Sequence, residues 1–119
     1  MQEIGLRHCA YIGDAVWELF VRERTIYMTQ NAGKLHKITS GKVNASFQAD
    51  LSDKIDGILT DAEKEIARRG RNLPIPVARR AIQTEYRKAT AFETLIGWWY
   101  LNDRQRLDEV LKQLEKEVN

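Results

Sequence analysis

Residues 11–18, YIGDAVWE, form a mostly apolar run with one acid in its middle, and this run restricts the possible folds most. In a helix, residues three and four apart share a face, which separates Asp14 from the apolar side of Trp17. Asp14 is therefore expected at the edge of buried surface, where an ionised carboxylate is costly unless it is paired or binds a metal ion. Gly13 beside it suggests that something approaches the backbone closely. The polar face comprises Arg7, Tyr11, Asp14 and Glu18, and the apolar face comprises Leu6, Ala10, Trp17 and Val21, with Phe20 near them.

Residues 89–97, ATAFETLIG, have the same character, because Glu93 is the only charged residue between Lys88 and Asp103. Two lone carboxylates in apolar helices suggest a shared site. The alternative is that each acid is buried and paired with an arginine. The residues leave both interpretations open, since structural ion pairs also shift the pKa values of acids.

Apolar residues recur at helical spacing along the rest of the chain, and no alternating strand pattern of useful length occurs, so the predicted class is all-α. Thr60 and Glu63 have the spacing of a capping box, in which each side chain accepts a hydrogen bond from the other residue's backbone. The predicted segments are a first helix over 3–27, a short helix over 34–38, a break at 39–41 with Ser40 capping the next helix, an end of that helix at 56–57, a helix from 60 to a stop at Gly70, a loop over 71–79, a helix from residue 80 or 84 to 101, and a closing helix after 103.

The length of 119 residues predicts a single domain. The only cysteine, Cys9, cannot form an internal disulfide and is expected in the core, which fits a reducing cytoplasm. No apolar run reaches the length of a bilayer span, and no secretion leader is recognisable. His8 is expected to be packed and His36 to be on the surface, and neither is expected to be catalytic.

The net charge of +2 conceals an asymmetry. Residues 68–88 hold seven bases and one acid, a net charge of +6, which leaves −4 on the rest of the chain. A concentrated basic segment is typical of a surface that binds a polyanion. The alternative is an ordinary solvated charged face.

These motifs resemble the ribonuclease III family. The run at 11–18 resembles its signature helix, and Phe92-Glu93 followed by Leu-Ile-Gly resembles its second catalytic helix. Residues 68–72, RRGRN, and 86–90, YRKAT, resemble the small branch, mini-ribonuclease III, which has the nuclease domain alone. Over residues 1–119 the resemblance therefore implies one nuclease domain without an appended double-stranded-RNA-binding domain.

The resemblance implies that Asp14 and Glu93 are the catalytic, metal-binding acids and that Mg²⁺ is the cofactor. Full-length members have two further acids, at positions where this chain has Ala10 and Thr90. Magnesium usually keeps several waters, so two carboxylates, waters and a substrate phosphate can suffice. Thr90 could hold a metal-bound water, and Glu18 either assists through a water or pairs with Arg22.

The resemblance further implies a homodimer, with Tyr11 at the interface, that cuts double-stranded RNA and leaves 5′-phosphates and short 3′ overhangs. The implied substrate is the precursor of 23S ribosomal RNA, with a large-subunit ribosomal protein as a candidate helper. A non-catalytic RNA-binding scaffold and an all-α module for a protein partner are the alternatives. RNA binding is expected to weaken steeply with salt. The expected RNA-binding residues are Arg69, Arg71, Asn72, Arg79, Arg80, Arg87 and Lys88, with Lys34, Lys37 and Lys42 extending the surface.

Overall fold

A computed structural model describes residues 5–119, apart from the side chains of residues 79 and 80, and this part of the chain contains helices and connections but no strand. The predicted all-α class is therefore confirmed. None of the helices in the described range combines the length and the hydrophobicity that a membrane span requires. The helices are α1 (Leu6–Thr25), α2 (Ala32–Val43), α3 (Ala45–Ile55), α4 (Asp61–Arg71), α5 (Gln83–Asn102) and α6 (Arg104–Val118), with 3-10 turns at Asp56–Ile58 and Val77–Ile82.

The central helix of the bundle is α5, which packs against α1, α3, α4 and α6. Its apolar run is almost completely buried, with Phe92 and Ile96 fully so. Trp17 of α1 meets the Phe92 ring edge-on, with the centroids 5.1 Å apart, and stacks on Phe20 at 5.2 Å. Burying each such side chain contributes about 1.5–3 kcal/mol, and Glu93 lies within this buried apolar run.

Two glycines let α1 and α5 touch backbone to backbone. A Cβ atom on Gly13 would overlap the carbonyl oxygen of Glu93 and lie 2.8 Å from both the Glu93 carbonyl carbon and the Gly97 nitrogen. A Cβ atom on Gly97 would overlap the carbonyl oxygen of Cys9, a residue that is buried as predicted. The close approach expected at Gly13 is therefore an approach of the helix that carries Glu93.

The break predicted at residues 39–41 is wrong, because α2 continues to Val43. Trp17 Nε1 donates a 2.9 Å hydrogen bond to the carbonyl of Lys42, and the hydroxyls of Thr25 and Thr39 lie 3.2 Å apart. These tertiary contacts keep the turn helical where local propensity favoured an end. The capping role expected of Ser40 belongs to Asn44, whose side chain accepts a 2.8 Å hydrogen bond from the backbone of Phe47.

The helix stop predicted at Gly70 is also wrong, since α4 continues to Arg71. Gly70 is buried, and a Cβ atom on it would lie 2.7 Å from the hydroxyl of Thr94. The absence of a side chain at Gly70 therefore lets α4 pack closely against α5. The loop predicted over 71–79 shrinks to a few residues because residues 77–82 form a 3-10 turn. The first helix ends at Thr25, two residues before its predicted end, and its predicted start at residue 3 lies outside the described residues.

The capping box at Thr60 and Glu63 is confirmed. Beyond the cap, Glu63 accepts hydrogen bonds from Trp99 Nε1 and from Arg106 Nε, each at 2.9 Å. Arg106 also donates to the carbonyl of Ile58 at 2.7 Å. One buried carboxylate thus joins α4, α5 and α6.

Candidate active site

The crossing of α1 and α5 brings the two predicted acids together. Gly13 lies against the backbone of Glu93, so the next residue of α1, Asp14, meets the Glu93 side chain. The two carboxyl groups are within hydrogen-bonding distance of each other. Asp14 is exposed and Glu93 is half-buried, which places the pair at the rim of the core with one side open to solvent.

Asp14 and Glu93 lie next to each other without a basic side chain of the described residues to neutralise them. Burial raises the pKa of Glu93 to about 9, and the hydrogen bond and negative charge of Asp14 raise it further, while the Gln48 side chain opposes the shift. No basic side chain in the described part of the chain forms an ion pair with either acid. Among the described side chains, neither acid has the arginine partner that the alternative interpretation expected. The ionised form of Glu93 is therefore disfavoured, first by burial and then by the neighbouring Asp14.

Glu63 shows how a structural acid differs from this pair. Its hydrogen bonds to Arg106 lower the pKa of Glu63 to about 2, against the effect of burial. Glu63 is buried and Glu93 is half-buried, yet their pKa values move in opposite directions. An acid whose ionised form is disfavoured, and which lies at a rim open to solvent, is the better candidate for a functional site.

The acid pair suits a divalent cation that has protein ligands on one side only. In the described range no three His, Cys, Asp or Glu side chains are close enough to enclose an ion. Asp14 and Glu93 would therefore supply the protein ligands, and water or substrate oxygens would occupy the other positions. The Thr90 hydroxyl donates to the carbonyl of Tyr86 at 2.9 Å, and its expected role in holding a water stays a prediction.

Glu18 lies one turn beyond Asp14 and forms an i,i+4 ion pair with Arg22 at 3.7 Å. The surface ion pair that the sequence suggested is thus present. Glu18 remains half-exposed, and its assistance to a metal ion through a water stays a prediction.

Gln48 of α3 is a residue of the candidate site that the sequence did not predict. This side chain is 2% exposed, and its Nε2 atom has no well-formed hydrogen bond to any described residue. It lies close enough to the Glu93 carboxyl to favour its ionised form. Gln48 precedes Leu51 by three residues and Ile55 by seven, so a polar residue on the apolar stripe of this helix was the available signal.

The predicted RNA-binding residues fall into two groups. Arg69, Arg71 and Asn72 at the end of α4 are exposed. Arg87 and Lys88 on the first turns of α5 are half-buried and occupied within the protein. Arg87 donates to the carbonyl of Arg71 at 2.8 Å, and Lys88 pairs with Asp53 at 3.0 Å. The side chains of Arg79 and Arg80 lie outside the described part of the structure.

A row of exposed apolar residues follows the outer face of α1. Tyr11 is 83% exposed, Leu19 60% and Ile26 54%. Tyr11 lies one turn before Asp14 on α1, Leu19 lies two turns beyond Tyr11, and Ile26 directly follows the last residue of the helix. His8 is exposed, which contradicts the expectation that it is packed, whereas His36 is exposed as expected. His8 lies on the first turn of α1, before the crossing with α5 closes over the helix.

Comparison with known proteins finds similarity over most of the chain. The ribonuclease III domain family matches residues 8–104. Relatives named mini-ribonuclease 3 include one from Synechocystis, 42% identical over 89% of this chain and 74% of its own length, and one from Synechococcus, 44% identical over 95% and 82%. The crystal structure of a protein from Fusobacterium nucleatum is similar over 98% of this chain and 95% of its own, with a TM-score of 0.83 and 30% identity.

Proposed function

Because the chain belongs to the ribonuclease III family of endoribonucleases, we propose that it hydrolyses double-stranded RNA at the acid pair of Asp14 and Glu93, with a magnesium ion as cofactor. One observation carries this proposal. Two carboxyl groups from distant parts of the chain meet at a solvent-facing rim, and no basic side chain of the described residues forms an ion pair with either.

A bound magnesium ion supplies the chemistry, by lowering the pKa of a water molecule and neutralising charge on the phosphoryl oxygens. Asp14 and Glu93 would hold this ion, with Asp14 exposed and Glu93 half-buried at the rim of the core. The backbone contact at Gly13 keeps the two carboxyl groups close to each other.

Exposed bases at the end of α4 support the choice of a duplex RNA. Arg69 and Arg71 project from one segment with Asn72, a residue that can donate and accept hydrogen bonds. Such side chains suit phosphate and 2′-hydroxyl contacts across the wide minor groove of A-form RNA. Arg87 supports this surface indirectly, since it holds the carbonyl of Arg71.

A homodimer follows from the requirement for two cuts. One acid pair cleaves one strand, so cleaving both strands needs two sites related by a two-fold axis. The exposed row of Tyr11, Leu19 and Ile26 is an apolar face that a second copy would cover. We place this face at the dimer interface, with Tyr11 nearest the acid pair.

The biological substrate extends the proposal. From the resemblance of the motifs at 68–72 and 86–90, we propose that the RNA is the precursor of 23S ribosomal RNA in the cytoplasm, where a ribosomal protein presents the substrate. Residues 1–119 act in this scheme as a single nuclease domain.

The variant Asp14→Asn tests the proposed function. It preserves size and removes a carboxylate, so cleavage of a labelled RNA duplex should fall to background while circular dichroism and oligomeric state stay unchanged. Asp108→Asn, the same change at an exposed position of α6, is the matched control and should cleave normally. Near-normal cleavage by Asp14→Asn would remove this acid from the mechanism.

The scaffold alternative has its own outcome in that assay. It is favoured by Ala10 and Thr90, which halve the acids relative to full-length members of the family. Wild-type protein that binds the duplex but makes no cut, with magnesium as with chelator, would establish the scaffold and overturn the nuclease.

A further inference from the structure

Gln48 is the one buried side-chain donor in the described residues that lacks a partner, and it lies beside the acid pair. Three helices meet there: α1 brings Asp14, α5 brings Glu93 and α3 brings Gln48. A buried amide without a hydrogen bond costs free energy and usually marks a site where an absent group completes the bonding. The chain keeps this polar group on a stripe whose neighbours, Leu51 and Ile55, are buried and apolar.

We propose that Gln48 is a positioning residue, whose amide N–H holds the Glu93 carboxylate in the orientation that binds the cation together with Asp14. This inference rests on the proposed function and adds a residue to it. The amide is a donor, so Nε2 cannot itself bind a cation, but it can bind one oxygen of a ligating carboxylate.

The neighbouring packing explains why this orientation matters. The backbone of Gly13 lies against the backbone of Glu93, and α3, which carries Gln48, packs against α5. Gln48 is therefore the buried donor beside the Glu93 carboxyl, and donation to one carboxyl oxygen would leave the other for the cation. Partners that orient a metal ligand in this way typically change metal affinity by about 10- to 100-fold.

The test compares metal binding with metal-free stability. Gln48→Met and Gln48→Leu keep an apolar side chain of similar size and remove the donor, and Gln113→Met, on the exposed face of α6, is the matched control. Calorimetric titration of the full chain with Mn²⁺, without RNA, should show about tenfold weaker binding for both Gln48 variants. The control variant should bind Mn²⁺ with wild-type affinity. Melting in chelator should be unchanged or a few degrees higher, because an unpaired buried amide is gone.

Each result decides the inference. Mn²⁺ affinity within about twofold of wild type for either Gln48 variant overturns it, since a tenfold effect is expected. Lower melting temperatures in chelator for both variants also overturn it, because they indicate that Gln48 serves packing. Asp14→Asn separates this failure from that of the proposed function: if Asp14→Asn binds Mn²⁺ like wild type, the acid pair itself is not the metal site.

Discussion

The variant Gly13→Ala should destabilise the protein at the crossing of its two longest helices. The added Cβ would overlap the carbonyl oxygen of Glu93 and lie 2.8 Å from two further backbone atoms, where ordinary contact begins at 3.4 Å. Backbone atoms cannot rotate away as a flexible side chain can. The helices must therefore separate by at least about 0.6 Å, and by more at the oxygen.

The cost can be worked from this geometry. Overpacking of a core costs about 1–3 kcal/mol and occasionally more, and the contact with rigid backbone places Gly13→Ala at or above the upper end. Alanine regains up to about 1 kcal/mol of helix propensity. The net loss should be roughly 3 kcal/mol, which corresponds to a melting temperature lower by roughly 10 °C in a domain of this size.

Gly41→Ala is the matched control, because Gly41 is also inside a helix but its Cβ would meet nothing within 4 Å. The same substitution should there stabilise by about 0.5–1 kcal/mol. Thermal unfolding in chelator measures both variants without the contribution of a metal ion. Cleavage by folded Gly13→Ala should also fall by about a hundredfold, since displacement near 1 Å misaligns Asp14 and Glu93.

The reasoning is refuted if Gly13→Ala melts within about 2 °C of wild type, because the expected loss is several times larger. It is equally refuted if Gly41→Ala loses as much stability as Gly13→Ala. That result would mean that glycine serves the backbone of any helix here and has no special role at the crossing.

Two further predictions concern pH. The pKa of Glu93, about 9, lies above its usual 4.5. The favourable contribution of Glu93 to the free energy of unfolding is therefore fully present below pH 4.5 and is lost as the pH rises toward 9. Glu93→Gln should therefore abolish cleavage yet stabilise the metal-free protein at pH 8 by roughly 1–3 kcal/mol, as melts in chelator will show. The pKa of Glu63, about 2, lies below 4.5, so its contribution is present above pH 4.5 and is lost as the pH falls toward 2. Glu63→Gln should cost roughly 2–4 kcal/mol at pH 7 and little at pH 2, and equal losses at both values would contradict the ion pair with Arg106.

Local information was sufficient for the helices and for the candidate acids. The capping box at Thr60 needs only a four-residue pattern, and the buried faces of α1, α3 and α6 follow from helical spacing. Asp14 and Glu93 stood out because each is a lone charge in an apolar run. Their roles as catalytic and metal-binding residues stay predictions.

Local information failed where a distant contact outweighs a weak preference. Gly41 costs the helix only about 1 kcal/mol, and the hydrogen bond from Trp17 to the carbonyl of Lys42 helps to offset it. Gly70 was interpreted as a helix end, although it is buried against Thr94. Gln48 was passed over because a buried polar residue gains meaning only from its neighbour.

The amino-acid sequence by itself determined the all-α class, the apolar faces that build the core, and the presence of acids inside them. Only the tertiary structure decided what each acid meets. Arg106 reaches Glu63 and lowers its pKa, whereas burial of Glu93 and then its contact with Asp14 raise the pKa of Glu93. The reason is physical: the charge state of a buried carboxyl depends on groups a few ångströms away, and packing brings those groups from distant parts of the chain.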